Sequence, residues 1–324
     1  MTPTVSAYHP EDFPELYALI EAASRPRRRL TRGGLGELLD HPDYEPGRDL
    51  FVARDAAGRE LVGVRDVRVT ARGDEQVPIL ESWGLAHPTA GDGAVSGALL
   101  RTALARATAI VTERGRERGI FQTRCGVDDV ASQGTFESHG LRQARVLLSI
   151  ARPHLRDLTP PRAPDGVVLR PYRVGLDDAA WVTAFNDAFA DHWGGFMGMS
   201  QALWTRYVRR PAFKPEFSLV AWDGPEIAGF GHFRVDDELN AMAGRNEGVM
   251  RYIGVRPRWR GRGLGVALTR AGLVRLRDAG IEAVLSGVDS DNPTGARQIY
   301  EREGFVTIGQ QHLYRVGLAS AAGR

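Results

Sequence analysis

The chain has 324 residues, 43% hydrophobic and 25% charged, with 42 basic against 40 acidic side chains. That is enough for two domains of ordinary size, and a net charge of +2 gives no support to a generic polyanion-binding role. A single cysteine, Cys125, excludes an intramolecular disulfide and a multi-cysteine metal site. Lysine also occurs once, at Lys214, so arginine supplies nearly all the positive charge. The N-terminus lacks a basic start followed by an apolar run, and no apolar stretch approaches the ~20 residues needed to span a bilayer. The expectation is a cytoplasmic protein without a metal, a nucleic-acid partner or a membrane partner.

In chain order, 51-FVARDAAGRELVGVRDVRV-69 predicts two strands joined by a glycine-containing turn. The segment 86-AHPTAGDGAVSGALLRTALARA-107 predicts a loop opening a helix, and 128-DDVASQGTFESHGL-141 a helix ended by glycine. The proline-rich 159-TPPRAPDG-166 reads as a linker. Beyond it, 176-LDDAAWVTAFNDAFADHW-193 predicts a helix with an Asp pair at its start, and 219-LVAWDGPEIAGFGHFRV-235 a second strand–turn–strand. The strand 249-VMRYIGV-255 is stopped by Pro257 and followed by the loop and helix 255-VRPRWRGRGLGVALTRAGLVRL-276. Apolar residues at three- and four-residue steps from Leu264 define that helix, with Gly280 as its C-cap. Last comes 292-NPTGARQIYEREGF-305, again a helix and then Gly-Phe.

Three blocks recur in one order across the two halves, which argues for a duplicated α+β unit. The expected division is a first domain over 1–155, a linker over 156–166 and a second domain over 167–324. The fold class is mixed α/β, two tandem units, each a central, mostly antiparallel sheet flanked by helices.

The loop after Val255 is not a P-loop, because no Gly-Lys-Ser/Thr follows, nor a Rossmann fingerprint, because its glycines are spaced G-x-G-x-G. What remains is a tight turn opening a helix, whose first N–H groups and dipole make an anion site. Arg258, Arg260 and Arg262 stand at its rim.

The run Arg260-Gly261-Arg262-Gly263-Leu264-Gly265 resembles the R/Q-x-x-G-x-G/A signature of the GNAT superfamily of N-acetyltransferases. The resemblance implies a coenzyme A pyrophosphate cradle of backbone amides across residues 260–267, including Val266. The strand around Ile253 and Val255 would bind the pantetheine arm. Asn292 and Tyr300 occupy the places of a cofactor-contacting asparagine and a tyrosine that protonates the departing thiolate. Arg251 stands where many members carry a carboxylate base. Glu247 has the right parity on a regular strand, sharing a face with Val249, Arg251 and Ile253, but would need a bulge to be centred. Asp289, His232 or a water chain are the alternatives. The loop 190-ADHWGGFMGMSQALW-204 would close over the acceptor, making His192, Trp193, His232 and Arg251 the candidate substrate contacts.

Aligning Pro88 with Pro257 sets Ala94 opposite Gly263 and Ser96 opposite Gly265. Aligning Gly140 with Gly304 sets Phe136 opposite Tyr300. The first half thus reads as a degenerate copy, with Cys125 a buried structural residue. Similarity to the mycothiol synthase group, which acetylates a cysteinyl thiol precursor, is weaker. The expected function is acetyl transfer from acetyl-CoA to a small-molecule primary amine by direct attack. The alternatives are mycothiol-synthase-like acetylation and a non-catalytic coenzyme A-binding scaffold. Pairing of the two halves makes a monomer plausible, with a homodimer the other possibility.

Overall fold

The computed structural model describes the chain except residues 1–2, 24–29, 41–43, 73–76, 89, 91–92, 160, 192, 194–197, 211–212, 293–294 and 321–324. The strands are β1 (Thr4–Ala7), β2 (Leu50–Arg54), β3 (Leu61–Asp66), β4 (Arg68–Arg72), β5 (Pro78–Ser82), β6 (Gly84–Ala86), β7 (Arg118–Gly126), β8 (Arg142–Arg152), β9 (Val167–Pro171), β10 (Leu219–Asp223), β11 (Glu226–Val235), β12 (Glu247–Val255), β13 (Ala283–Asp289) and β14 (Val306–Ala319). The helices are α1 (Phe13–Ala23), α2 (Arg32–Leu39), α3 (Pro46–Asp49), α4 (Ala94–Glu113), α5 (Val130–Ser138), α6 (Asp178–Phe189), α7 (Gln201–Tyr207), α8 (Asp237–Ala243), α9 (Leu264–Asp278) and α10 (Ala296–Arg302). They form two units, Met1–Arg145 with Gln311–Arg324, and Val146–Gln310. These bounds differ from the 155 and 166 expected from the proline-rich segment. Residues 147–152 of β8 pair with β13 of the second unit, while residues 311–319 of β14 pair with β7 of the first. Long-range strand pairing, invisible to local composition, decides where each unit ends.

In the first unit, β1–β2–β3–β6 form one antiparallel sheet, while β5 pairs antiparallel with β4 and parallel with β7. Helix α4 packs into its core through Val95, Leu99, Leu100, Ala103, Ala107 and Val111. By length and composition it is long and apolar enough to cross a membrane, an exception to the expectation that no such segment exists, but Arg101, Arg106 and Glu113 interrupt it and nine of its other residues are buried. Their burial in that core accounts for the apolar character. A Cβ on Gly63 would strike Val95 and Leu99, just as one on Gly229 would meet Leu268 and Leu264. The helices therefore pack in the register set by Pro88 and Pro257. The left-handed N-cap glycine is shifted by one position, Gly93 at φ 75° against Gly263 at φ 80°. The first unit thus keeps an N-cap glycine that the alignment by prolines had taken from it. Gly91 and Asp92, which the alignment by prolines sets opposite Arg260 and Gly261, lie outside the described residues.

In the second unit the sheet order is β8–β13–β12–β11–β10–β9, antiparallel except for β12 with β13. One face carries α6 and α7, closed by an aromatic cluster in which Trp181 stacks on Trp204 with centroids 3.5 Å apart. The opposite face carries α9, whose Leu264, Leu268, Leu273 and Leu276 are all buried. Each such side chain contributes roughly 1.5–3 kcal/mol of burial. Gly280 follows at φ 82°, and Ile281 N–H reaches back to Leu276 O at 3.0 Å, closing the helix as a Schellman cap.

Candidate active site

Strands β12 and β13 pair in parallel only at Glu247–Ala283, Gly248–Val284 and Val249–Leu285. Beyond that point Ser286 Oγ donates to Met250 O at 3.0 Å, and the strands then line opposite walls of a cavity of about 730 Å³. One wall is Met250–Val255, and the other is Ser286–Asp289. The parting coincides with an irregularity at Arg251. His232 pairs with Tyr252 and Phe233 with Met250, so Arg251 is the extra residue of a β-bulge. Before the bulge Gly248 and Met250 face α9; after it Ile253 and Val255 do. The expectation that Glu247, Val249, Arg251 and Ile253 share one face is therefore corrected.

The cavity mouth is the loop into α9. Gly261 and Gly263 sit at φ 76° and 80°, a region that a Cβ makes costly, and both line the cavity with Leu264, Gly265 and Val266. The helical ladder starts at Ala267 N–H to Gly263 O, so the N–H groups of Leu264, Gly265 and Val266 have no intrahelical acceptor. With the positive end of the helix dipole they form an anion cradle.

The arginines contribute less to that cradle than their number suggests. Arg260 lines the cavity but clamps Asp191, with Nη1–Oδ2 2.6 Å and Nη2–Oδ1 3.0 Å, and donates to the carbonyls of Ala188 and Val255. Arg258 lies over the Trp259 ring at 4.1 Å and pairs with Glu226. Arg262 is exposed and is not among the cavity-lining residues.

Tyr300, on α10, is buried at the inner end and lines the cavity; burial pushes its hydroxyl up to about 12. Asn292, Trp193, Arg251, Ile253 and Val255 line the cavity as well. Asp191 and Asp289 are its carboxylates among the described residues.

Two expected residues do not reach it. Glu247 stands at the far end of β12, three residues or roughly 10 Å along the strand before the cavity wall begins at Met250; it does not line the cavity and pairs with Arg245 at 3.6 Å. His232 is fully buried between Tyr207 Oη, 2.9 Å from Nε2, and Ser218 Oγ, 2.7 Å from Nδ1. Burial, with the charges of Arg251 and Arg234, lowers its pKa to about 3, so it is a neutral core histidine. Of the alternatives to Glu247, Asp289 is the side chain that lines the cavity. His192 lies outside the described residues.

Sequence reasoning missed Thr269, a cavity-lining side chain on the α9 face between Val266 and Leu273. A hydroxyl on the otherwise apolar face of an amphipathic helix was the available signal.

The first unit differs where it can be compared. Phe136 stands for Tyr300, and the buried Arg65 guanidinium lies 5.7 Å from its ring centroid. Arg65 Nη1 donates to Ser82 Oγ at 3.1 Å and to Thr123 Oγ1 at 3.2 Å. Cys125 is buried, its thiol pushed up to about 12 by desolvation, which leaves no thiolate at neutral pH.

A mixed sheet that parts around a helix-terminal anion cradle leaves a slot suited to an extended ligand with an anionic head. Residues 183–305 match the model of the Acetyltransferase (GNAT) family. A mycothiol acetyltransferase of Streptomyces coelicolor is 31% identical over 318 residues, covering 96% of this chain and 94% of that protein. One from Catenulispora acidiphila is 36% identical over 178 residues, and that match spans only about half of the relative's length, 55%. The crystal structure of a GCN5-related N-acetyltransferase from Sphaerobacter thermophilus shares the fold at a TM-score of 0.76 and 20% identity, covering 98% of this chain and 96% of that one. The chain belongs to the GNAT family of acetyltransferases.

Proposed function

We propose that residues 146–310 bind an acyl-coenzyme A, acetyl-CoA in the first place, and transfer its acyl group to a primary amine of a small molecule. The observation that carries this reading is one continuous cavity, from the N–H cradle at Gly263–Val266, between β12 and β13, to Tyr300. The cradle suits a pyrophosphate, and the slot between the splayed strands suits an extended amide-bearing arm. Coenzyme A supplies an acyl thioester, whose carbonyl a neutral amine attacks directly.

The chain's own residues hold and move the protons. The peptide edge of Met250–Val255 orients the arm and polarises the carbonyl. Tyr300, kept protonated by burial, donates its proton to the leaving thiolate as the carbon–sulfur bond breaks. Asp289, on the facing wall, accepts the amine's proton directly or through water.

The narrower reading is a mycothiol-type acceptor, the amine of a cysteinyl glucosaminyl-inositol. It is favoured by the two relatives named mycothiol acetyltransferase. The test is loss of thioester absorbance from acetyl-CoA over a panel of amines that includes this precursor. Amine-dependent turnover that collapses in Tyr300→Phe supports the transferase. A marked preference for the precursor selects the narrower reading. Tight acetyl-CoA binding without turnover on any amine would instead favour a coenzyme A-binding scaffold.

A further inference from the structure

Thr269 is fully buried, and its hydroxyl has no hydrogen-bond partner among the described residues. Helical threonines ordinarily satisfy this group within their own helix. Elsewhere in this chain Thr102, Thr108, Thr112, Thr135 and Thr183 each donate to the carbonyl four residues earlier. Thr269 makes no such bond, although a buried orphan hydroxyl is costly.

Its place explains what it faces. Val266 and Thr269 line the cavity, and Leu273, the next residue on that face of α9, belongs to the core. Thr269 therefore stands where cavity wall passes into packed interior. It lies roughly 7.5 Å along the axis from Leu264, counted as five residues at 1.5 Å each. The first unit shows that the packing needs no hydroxyl there. Whether the helices are matched by their packing or by their N-cap glycines, a buried leucine, Leu100 or Leu99, takes the position.

We infer that Thr269 Oγ is a binding group for the amide-bearing arm of the acyl carrier, donating to one of its carbonyl oxygens one to two helical turns beyond the phosphate cradle. This rests on the coenzyme A reading above. The hydroxyl has no partner among the described residues and is closed off from solvent, so meeting the arm takes a turn of the Thr269 side chain about χ1 toward the cavity that the residue lines. That contact selects an arm with a carbonyl at that depth over a purely alkyl chain.

The test is calorimetric binding of two ligands to the full chain, acetyl-CoA and adenosine 3′,5′-bisphosphate, which carries the nucleotide end without the arm. In Thr269→Val, which keeps the shape, acetyl-CoA should bind about five- to tenfold more weakly, the loss expected of one neutral hydrogen bond. The bisphosphate should be unaffected, and Thr269→Ser should restore acetyl-CoA affinity to within about twofold. The ligand-free Thr269→Val protein should melt at or above the wild-type temperature, because a buried unsatisfied group has been removed; a hydroxyl with a structural role would lower it. Unchanged acetyl-CoA affinity in Thr269→Val, or equal loss for both ligands, overturns the assignment. If wild-type protein binds neither ligand, the coenzyme A reading itself fails, an outcome distinct from failure of the Thr269 contact alone.

Discussion

The guanidinium of Arg260 grips the carboxylate of Asp191 with two hydrogen bonds, 2.6 and 3.0 Å long. It also reaches the carbonyls of Ala188, in the last turn of α6, and Val255, at the end of β12. The signature arginine thus pins three segments at the cavity mouth. Its fork geometry matters more than its charge.

Arg260→Ala should raise the KM for acetyl-CoA about tenfold, and Arg260→Lys, which keeps the charge but not the fork, should not rescue it. The side chains of Arg260 and Asp191 are 31% and 59% exposed, so their pairwise coupling in a double-mutant cycle should stay below about 1 kcal/mol. Full rescue by lysine would show that charge, and not the pinning, is what the loop needs.

Tyr300→Phe should lower kcat by roughly a hundredfold or more while the KM for acetyl-CoA changes little, since a proton donor acts mainly in the transition state. The wild-type tyrosine, pushed up to about 12, stays protonated through the neutral range. The basic limb of the kcat profile should therefore not show a group titrating near pH 10. Steady-state kinetics of both proteins from pH 6 to 10 would decide it.

Glycines in this unit should fail in two different ways. A Cβ at Gly263 meets nothing within 4 Å, but the residue sits at φ 80°, so Gly263→Ala should cost about 1–2 kcal/mol and weaken acetyl-CoA binding. At Gly254 and Gly272 the added Cβ would overlap the rings of Phe230 and Phe233. Gly272→Ala should cost about 1–3 kcal/mol by overpacking α9 against β11, with no specific effect on binding by the molecules that remain folded. Urea melts paired with calorimetry separate the two classes.

His232 makes stability pH-dependent. Its pKa is about 3 in the folded protein against 6.5 for an ordinary histidine. As pH falls below 6.5 the unfolded chain takes up a proton that the folded chain does not, so stability is lost through that window down to about pH 3. The slope approaches about 1.4 kcal/mol per pH unit. Asp66, buried and pushed up to about 6, acts with the opposite sign between 6 and its ordinary 3.8. Comparison with His232→Gln therefore isolates the histidine: that variant should be less stable at pH 7 but lose less between pH 6.5 and 5. Parallel curves for the two proteins would show that His232 does not titrate as its burial implies.

Several elements were legible because their signals are local. The glycine loop needs left-handed φ at Gly261 and Gly263, and no other residue type supplies that cheaply. The α9 stripe follows from helical period, and the echo between halves appears as repeated turns and helix ends. These features marked the loop into α9 and the strand before it, whereas Tyr300 was singled out only by its place in the GNAT resemblance.

Other features depend on partners far away in sequence. The bulge at Arg251 reverses which side chains face α9 and leaves Glu247 at the far end of its strand, yet a bulge has no local signature in 247-EGVMRYIGV-255. Burial of His232 requires α7 and β11 to meet, and the Arg260 clamp requires the end of α6. The bounds of the two units are set by strand pairs formed across more than a hundred residues, Arg152 with Val284 and Ala319 with Arg118. Sequence by itself determined the backbone conformations and periodicities that build the cradle, because these depend on each residue and its near neighbours. Tertiary structure alone decided which charges are neutralised and which side chains face the cavity, because charge pairing, strand register and burial are properties of residues brought together by the fold.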